Sequence, residues 1–301
     1  VVIATRDDTA SIRERVADVL GADYDAALLE VVVGLDARRD GTGATDLGFE
    51  DDRIRVVAGD EPGGKAATLN AAVRSSRGDV LVFADTHQRF RPDTIRRLVE
   101  ALGDPRIGVV SGSLELPARR GGASVADLYW RFERWLRRAE AAVHSAVGVT
   151  GAVFAMRRDL WSPLPAGLIL DDLYTPARIA LRGLRIGFVE SAKATELRRP
   201  SAVQEYHRKV RTLTGVIQLC VWLPAVLNPI RNPIWIQFFC HKLLRLLTPY
   251  WLAVLGLWVL VLGALRLGAV MPLALAGLVL LALPVLWVPT GSGARFGHIV
   301  Y

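Results

Sequence analysis

The fold predicted for this chain is decided by one stretch, Gly78-Asp79-Val80-Leu81-Val82-Phe83-Ala84-Asp85-Thr86-His87. The apolar run before Asp85 predicts a buried strand over Asp79–Ala84. Asp and His at i and i+2 directly after a strand can both reach one divalent metal, Mg²⁺ or Mn²⁺, which would clamp a diphosphate. A simple turn, in which Asp85 accepts hydrogen bonds from local backbone, is the alternative reading of these residues.

Strands and helices alternate on both sides of this strand. The alternation implies an α/β fold, with a mostly parallel sheet and helices on both faces. Ligands of such sheets bind at the carboxyl ends of the strands, here the residues after Val33 and Ala84. The other predicted strands are Val1–Thr5, Leu28–Val33, Ile54–Val57, Ile107–Val110 and Gly151–Met156; the predicted helices are Ser11–Leu20, Gly64–Arg77, Pro92–Leu102, Val125–Val143, Asp171–Arg182 and Ser201–Val221.

The C-terminal part of the chain has the composition of a membrane segment. Leu246–Leu265 carries no charge, and about twenty apolar residues span a bilayer core. A second uncharged stretch follows, so we predict a transmembrane hairpin at about 246–265 and 268–288. Thr212–Ile230 is also uncharged but is interrupted by polar residues and proline, which favours an interfacial helix. The predicted division is therefore 1–211 for the α/β domain, 212–245 for interfacial helices and 246–301 for the hairpin.

The distribution of charge predicts the orientation of the protein in the membrane and argues against nucleic acid as a partner. Lys and Arg outnumber Asp and Glu by 37 to 30, a net charge of +7, and basic residues cluster before the hairpin (Arg231, Lys242, Arg245). The positive-inside rule then places the α/β domain in the cytosol, against anionic membrane lipids. We expect no nucleic-acid partner, because no recognition motif accompanies the charge. Two cysteines in apolar surroundings indicate neither a disulfide framework nor a metal site.

Three further motifs carry candidate chemistry, each with a structural alternative. Asp171-Asp172 at a helix start is suited either to N-terminal capping or to taking a proton from an acceptor hydroxyl. Gly59–Lys65 nearly matches a phosphate-binding loop, but Ala66 stands where the metal-binding hydroxyl would be. The basic run His207–Arg211 either attracts anionic lipid or stabilises a departing diphosphate.

Taken in order, these motifs resemble glycosyltransferase family 2, which has the GT-A (Rossmann-like) fold, and in particular its membrane-bound bacterial members. The resemblance extends over essentially the whole chain. It implies Asp172, with Asp171, as the catalytic pair; Asp85 and His87 as metal ligands; and Thr150-Gly151 as the acceptor-side turn. It implies donor contacts from Thr5, Asp36, Lys65, Asn70, Asp85, Arg208 and Arg211.

The implied activity is an inverting transfer of a sugar from a nucleotide donor, a UDP-sugar by expectation, to a lipid-linked or glycan acceptor. It would use Mg²⁺ or Mn²⁺ at the cytoplasmic face of the bacterial inner membrane, in a multi-pass protein. Cell-envelope or exopolysaccharide synthesis is the expected process.

The sequence departs from the family pattern at three places. Leu35 replaces a common acidic residue, and His87 replaces the second Asp of the D-x-D motif. Arg208 and Thr212 replace the Gln and Trp of Q-x-x-R-W, which favours single transfer over processive synthesis. These departures leave open a glycosyltransferase-like protein that binds a nucleotide sugar or lipid without turnover. A transporter is disfavoured because the predicted spans carry no buried charge.

Overall fold

The computed structural model describes residues 1–37, 47–116, 125–197 and 201–267. Its contacts divide the chain into two units, Val1–Gln237 and Phe238–Tyr301. The predicted division at 211 and 245 stays a prediction. The second predicted span, about 268–288, lies outside the described residues.

The first unit is built on an eight-stranded sheet in the order β3-β2-β1-β4-β7-β6-β8-β5. Its strands and helices alternate along the chain, as predicted. The strands are β1 Val2–Thr5, β2 Val31–Leu35, β3 Ile54–Ala58, β4 Val80–Ala84, β5 Gln88–Phe90, β6 Ile107–Glu115, β7 Val153–Arg157 and β8 Arg185–Glu196; the helices are α1 Thr9–Leu20, α2 Lys65–Ser75, α3 Thr94–Ala101, α4 Val125–Val143, α5 Asp171–Leu181 and α6 Ala202–Trp222.

The sheet is parallel in one half and mixed in the other. Strands β3, β2, β1 and β4 are parallel neighbours, so their carboxyl ends share one edge. Strand β7 runs antiparallel to both β4 and β6, and β5 runs antiparallel to β8. Strands β6 and β8 are parallel. The α/β class is confirmed, with a larger antiparallel share than the alternation alone indicated.

Helices cover both faces of the sheet. One face buries Ile12 and Val16 of α1 and Ile95 and Leu98 of α3 in the main hydrophobic core. Helix α2 lies on the other face, against β1, β2 and β3. The packing is so close that a Cβ atom at Gly34 would lie only 2.8 Å from Thr68 Cγ2. Glycine on β2 therefore lets α2 approach the sheet and brings its N-terminus to the strand ends.

Strands β5 and β8 were not predicted from the sequence. Strand β5 has three residues, Gln88–Phe90, and lies at the edge of the sheet, where it pairs with the end of β8. Strand β8 has twelve residues with an irregular burial pattern, and its register with β6 shifts twice. Short or irregular strands lack the regular alternation from which strands are predicted.

The second unit begins at Phe238, and it contains a π-helical turn, Phe239–Leu243, followed by α8, Leu244–Leu267. A short helix, α7, precedes the turn at Trp235–Phe238. The apolar helical stretch Trp235–Gly263 has a mean hydropathy of 1.9 and is almost entirely exposed. By length and composition it is a candidate membrane span, the one such helix in the described part of the chain. It overlaps the first span predicted from the sequence.

Candidate active site

Three of the predicted site residues lie at the shared carboxyl edge of the parallel strands. Thr5 ends β1, Asp36 follows β2 and Asp85 follows β4. The backbone N–H of Asp36 donates to the Thr5 carbonyl at 2.9 Å, which ties the first two strand ends together. Asp36 is buried, and its Oδ1 accepts from the Gly64 N–H at 2.9 Å. Asp36 thus holds the turn that precedes α2, in addition to its predicted contact with the donor.

Lys65 begins α2 and points between two carboxylates. Its Nζ lies 3.4 Å from Asp85 Oδ1 and 3.5 Å from Asp171 Oδ1. A small cleft is lined by Lys65, Asp85, Gly151 and Asp171, among other residues. The fold therefore brings together one residue from each of four separate sequence motifs, as expected for a site at the strand ends.

A second cluster lies beside this cleft and includes Asp7, which sequence reasoning missed. Asp7 Oδ2 accepts hydrogen bonds from the hydroxyls of Thr5, at 3.0 Å, and of Thr86. Asp7 Oδ1 lies 3.5 Å from His87 Nε2. Asp7 comes shortly after the end of the predicted first strand. This closeness to a strand end was the sequence feature by which Asp7 could have been found. The cluster orients the loop that follows Asp85.

Asp171 and Asp172 are the first two residues of α5 and face different partners. Asp171 pairs with Lys65, whereas Asp172 Oδ2 lies beside Gly151, 3.3 Å from where a Cβ would stand. Burial raises the pKa of Asp172 above its ordinary value, and the negative charge of Asp171 raises it further. The charges of Lys65, Arg211 and Arg137 oppose that rise. A carboxyl group with a raised pKa is a stronger base once ionised, which suits proton transfer near neutral pH.

The predicted acceptor-side turn is held by residues that the sequence did not single out. The Thr150 N–H donates to Ser111 Oγ at 2.9 Å, and Thr150 Oγ1 accepts from Arg137 Nη1 at 2.6 Å. Arg137 Nε lies 3.6 Å from the buried carboxylate of Glu133, one turn earlier on α4. Helix α4 therefore fixes the side chain of Thr150. The i and i+4 spacing of Glu133 and Arg137 was the available signal.

Asn70 has a structural role that its predicted donor contact did not anticipate. Its amide Nδ2 donates to the Leu164 carbonyl, and its Oδ1 accepts from the Leu164 N–H, both at 2.8 Å. These two bonds join α2 to the loop that leads to Asp171. Asn70 acts on the site by holding this loop in place.

The two predicted arginines lie on α6 and differ in position. Arg211 is near enough to Asp172 to lower its pKa. For Arg208 the structure records a hydrogen bond of its backbone carbonyl with Thr212 Oγ1, at 2.9 Å. Helix α6 is anchored by Gln218, which accepts from the Ile169 N–H and donates to the Gly167 carbonyl, each at 2.9 Å. Of these two arginines, Arg211 is the one whose charge acts on Asp172.

The side chains in the cleft fit a divalent metal only if phosphate oxygens of the sugar donor and water supply the remaining ligands. Within the described residues no group of three or more Asp, Glu, His or Cys side chains is arranged around one point. Asp85 and His87 have partly exposed side chains, and Asp7 adds a carboxylate next to His87. Mg²⁺ and Mn²⁺ in nucleotide sites commonly use one or two protein ligands, with phosphate oxygens and water completing the shell. The residues present fit that pattern.

Comparison with known proteins decides the family. The sequence model of glycosyl transferase family 2 matches residues 1–162, more than half of the chain. The chain belongs to glycosyl transferase family 2. The GT-A fold agrees: a mannosyltransferase from Pyrobaculum calidifontis, solved with GDP-Man and Mn²⁺, superposes with a TM-score of 0.73 at 24% identity, over 96% of this chain and 80% of that one.

Two curated relatives of this family 2 protein come from rhizobia. An N-acetylglucosaminyltransferase of Bradyrhizobium elkanii is 31% identical over 117 residues, 38% of this chain and 64% of that protein. The succinoglycan biosynthesis protein ExoO of Rhizobium meliloti (strain 1021) is 35% identical over 72 residues, 24% of this chain and 21% of that protein. The chain thus spans less than two thirds of the length of each relative.

Proposed function

We propose that this family 2 protein is an inverting glycosyltransferase that moves a sugar from a nucleoside-diphosphate donor to a lipid-linked or polysaccharide acceptor. One observation carries the proposal: Lys65 joins Asp85, after β4, to Asp171, at the start of α5, with Asp172 beside them. A cation between carboxylates, next to a carboxyl group of raised pKa, suits a reaction in which a proton leaves one oxygen and negative charge builds on another.

In the proposed reaction Asp172 takes the proton of the acceptor hydroxyl. The acceptor oxygen then forms a bond to the anomeric carbon as the bond from that carbon to the donor phosphate breaks. Attack from the opposite face inverts the configuration, and the electron pair leaves with the nucleoside diphosphate. Lys65 and Arg211 offset the charge that develops on this leaving group.

Asp85 and His87, with Asp7 beside them, are the residues that would hold the metal. When bound, a divalent cation would supply positive charge to the donor diphosphate. The solved mannosyltransferase with Mn²⁺ supports a divalent ion in this fold. The chain's own residues still orient the donor, because Asp36 and Asn70 fix the turn and the loop on either side of the cleft.

The donor and the location follow from the relatives and from the C-terminal helix. A UDP-sugar is the proposed donor, UDP-N-acetylglucosamine first, because a relative is named an N-acetylglucosaminyltransferase. The relative named for succinoglycan biosynthesis supports an exopolysaccharide or cell-envelope acceptor. The apolar stretch Trp235–Gly263 supports attachment to a bacterial cell membrane, with the first unit on the cytoplasmic side.

The test is donor turnover by the detergent-solubilised protein. UDP-N-acetylglucosamine, other UDP-sugars and GDP-mannose would be supplied with Mn²⁺ or Mg²⁺ and membrane lipid extract, and released nucleoside diphosphate would be measured. We expect release from one donor, lost in Asp85→Ala and reduced about 10²–10⁴-fold in Asp172→Asn. Full activity in Asp172→Asn would disprove the base assignment. Folded protein that binds nucleotide without turning over any donor would instead favour the non-catalytic binding protein.

A further inference from the structure

The loop that leads into α5, residues 161–170, is held by a side chain of α6. We call it the α5-entry loop. The amide of Gln218 accepts from the Ile169 N–H and donates to the Gly167 carbonyl, each at 2.9 Å. A primary amide carries both a donor and an acceptor, so it pairs with this stretch as a neighbouring strand would. Gly167 has a φ of 77°, a conformation that L side chains rarely adopt, and the loop turns where Gln218 holds it.

Helix α6 also packs directly on the end of the α5-entry loop. Gly215 lies one turn before Gln218 and is buried. A Cβ at Gly215 would lie 2.6 Å from Leu170 Cδ1 and 3.3 Å from Ile169 Cγ2. Glycine therefore lets the backbone of α6 approach the loop more closely than a larger residue would. Hydrogen bonds and packing thus fix the loop at adjacent residues.

Leu170 is the residue from which α5 starts, directly before the two carboxylates. Its carbonyl accepts from the Tyr174 N–H at 3.0 Å, a hydrogen bond of the first turn. On the other side, the carbonyl of Asp172 accepts from the Val149 N–H at 3.0 Å, and its side chain lies beside Gly151. Asp172 is therefore held between the acceptor-side turn and the α5-entry loop.

We propose that Gln218, supported by the close packing at Gly215, is a positioning residue for Asp172. It acts through the α5-entry loop rather than on the reacting atoms. The proposal rests on the proposed function for the role of Asp172 as the base. Misplacing a catalytic group by about 1 Å can cost about 100-fold in rate. Two hydrogen bonds this close to the base can therefore matter more for turnover than for stability.

Helix α6 acts on Asp172 in a second way. Arg211 lies two turns before Gln218, at i and i+7, and so on the same side of the helix. Its charge opposes the rise in the pKa of Asp172 that burial causes. One helix therefore contributes both to where the base stands and to how readily it ionises. The other charged groups that act on Asp172 are Asp171, Lys65 and Arg137.

The experiment compares three variants of the full chain in detergent. Gln218→Met keeps the length of the side chain and removes both hydrogen bonds, whereas Gly215→Ala disturbs the loop by packing alone. Gln204→Met is the matched control, because Gln204 lies on the same helix and belongs to the capping box at its start. Each variant would be made with and without Asp172→Asn, and circular dichroism would check that it is folded.

The first readout is the thermal midpoint as a function of pH, which needs no sugar transfer. Because burial raises the pKa of Asp172 above 3.8, its ionisation lowers the free energy of unfolding as pH rises. The difference between each protein and its Asp172→Asn counterpart isolates this contribution. We expect this pH-dependent difference to shrink in Gln218→Met and Gly215→Ala, since a displaced Asp172 gains contact with water. It should persist in Gln204→Met.

The second readout is donor turnover. We expect kcat to fall roughly 10- to 100-fold in Gln218→Met and Gly215→Ala, with little change in the KM of the donor and with Gln204→Met unchanged. A pH-dependent difference that stays the same in both loop variants would overturn the proposal, because Asp172 would then keep its environment without Gln218. So would an unchanged kcat, which would leave Gln218 a purely stabilising role. If the wild type turns over no donor, the proposed function fails, while the thermal readout still decides whether Gln218 holds Asp172.

Discussion

Lys65, the first residue of α2, and Asp171, the first residue of α5, form an ion pair with 3.5 Å between Nζ and Oδ1. The same ammonium group lies 3.4 Å from Asp85 Oδ1. Two helix starts and one strand end are thereby linked by a single cation. The pair explains how carboxylates from distant parts of the chain can share a small cleft without repelling one another.

Replacing Lys65 should lower kcat/KM for the donor more than it lowers the free energy of unfolding. Lys65→Met leaves Asp85 and Asp171 without a shared positive charge and removes a charged contact for the donor phosphates. We expect kcat/KM for the donor to fall roughly 10- to 100-fold, the equivalent of about 1.5–3 kcal/mol for a charged hydrogen bond. Arg74→Met is the matched control, because Arg74 is on the same helix and pairs with Asp60 at the surface. An equal loss in both variants would contradict a specific role for Lys65.

Asp172 should show opposite effects on activity and stability. Because its pKa is raised above 3.8, the folded state binds more protons than the unfolded state between that value and the raised pKa. The free energy of unfolding therefore falls as pH rises through this window. Asp172→Asn removes the buried charge, so we expect its thermal midpoint to rise at neutral pH by about 2–4 °C per kcal/mol recovered, while turnover is lost. A midpoint that falls, measured by thermal unfolding in detergent, would show that the charge is compensated.

The acidic limb of the pH–rate profile should move in Asp171→Asn. In the proposed reaction Asp172 must be ionised to accept the proton, so we expect kcat/KM to fall as pH drops through its raised pKa. Removing the neighbouring negative charge lowers that pKa, and the limb should shift to lower pH. Arg137→Gln removes a positive charge instead, so the limb should shift to higher pH. Profiles that stay superimposed on that of the wild type would show that another group controls the limb.

Metal preference should respond to position 87. Imidazole favours Mn²⁺ and other transition metals over Mg²⁺, whereas carboxylate accepts Mg²⁺ well. His87→Asp should therefore lower the Mg²⁺ concentration needed for half-maximal turnover, with a smaller change for Mn²⁺. Titrating each metal against released nucleoside diphosphate measures this. The control is Asp93→Asn, because Asp93 lies outside the cleft and pairs with Arg97 on α3. If the Mg²⁺ and Mn²⁺ titration curves of His87→Asp match those of the wild type, His87 is not a metal ligand.

The close approach of α2 to the sheet should depend on Gly34. In Gly34→Ala the added methyl group would lie 2.8 Å from Thr68 Cγ2 and 3.0 Å from the Thr68 carbonyl oxygen. We expect a loss of about 1–3 kcal/mol in the free energy of unfolding, the usual cost of overpacking. Gly21→Ala is the control, since the nearest atom there, the Ala17 carbonyl oxygen, is 3.4 Å from the added carbon. Equal midpoints for the two variants would contradict the packing argument.

Much of the architecture was predictable because it rests on local patterns. The apolar run before Asp85 is strand β4, and the periodic stretch Val125–Val143 is α4 with the predicted bounds. Strand alternation also indicated the residues after Val33 and after Ala84 as the binding edge of the sheet, and Asp36 and Asp85 lie there. Strands β5 and β8 escaped prediction because edge pairing and register shifts depend on a partner strand rather than on the segment itself.

The sequence by itself determined the α/β class, the family and the residue types at the strand ends, since each depends on order and spacing along the chain. Only the tertiary structure decided which of those residues meet. It placed Lys65 between Asp85 and Asp171, joined Asn70 to Leu164, and brought Asp7 to His87. It also turned Phe132 and Trp135 outward. These relationships depend on how distant segments pack, and sequence periodicity carries no information on which partner a side chain will face.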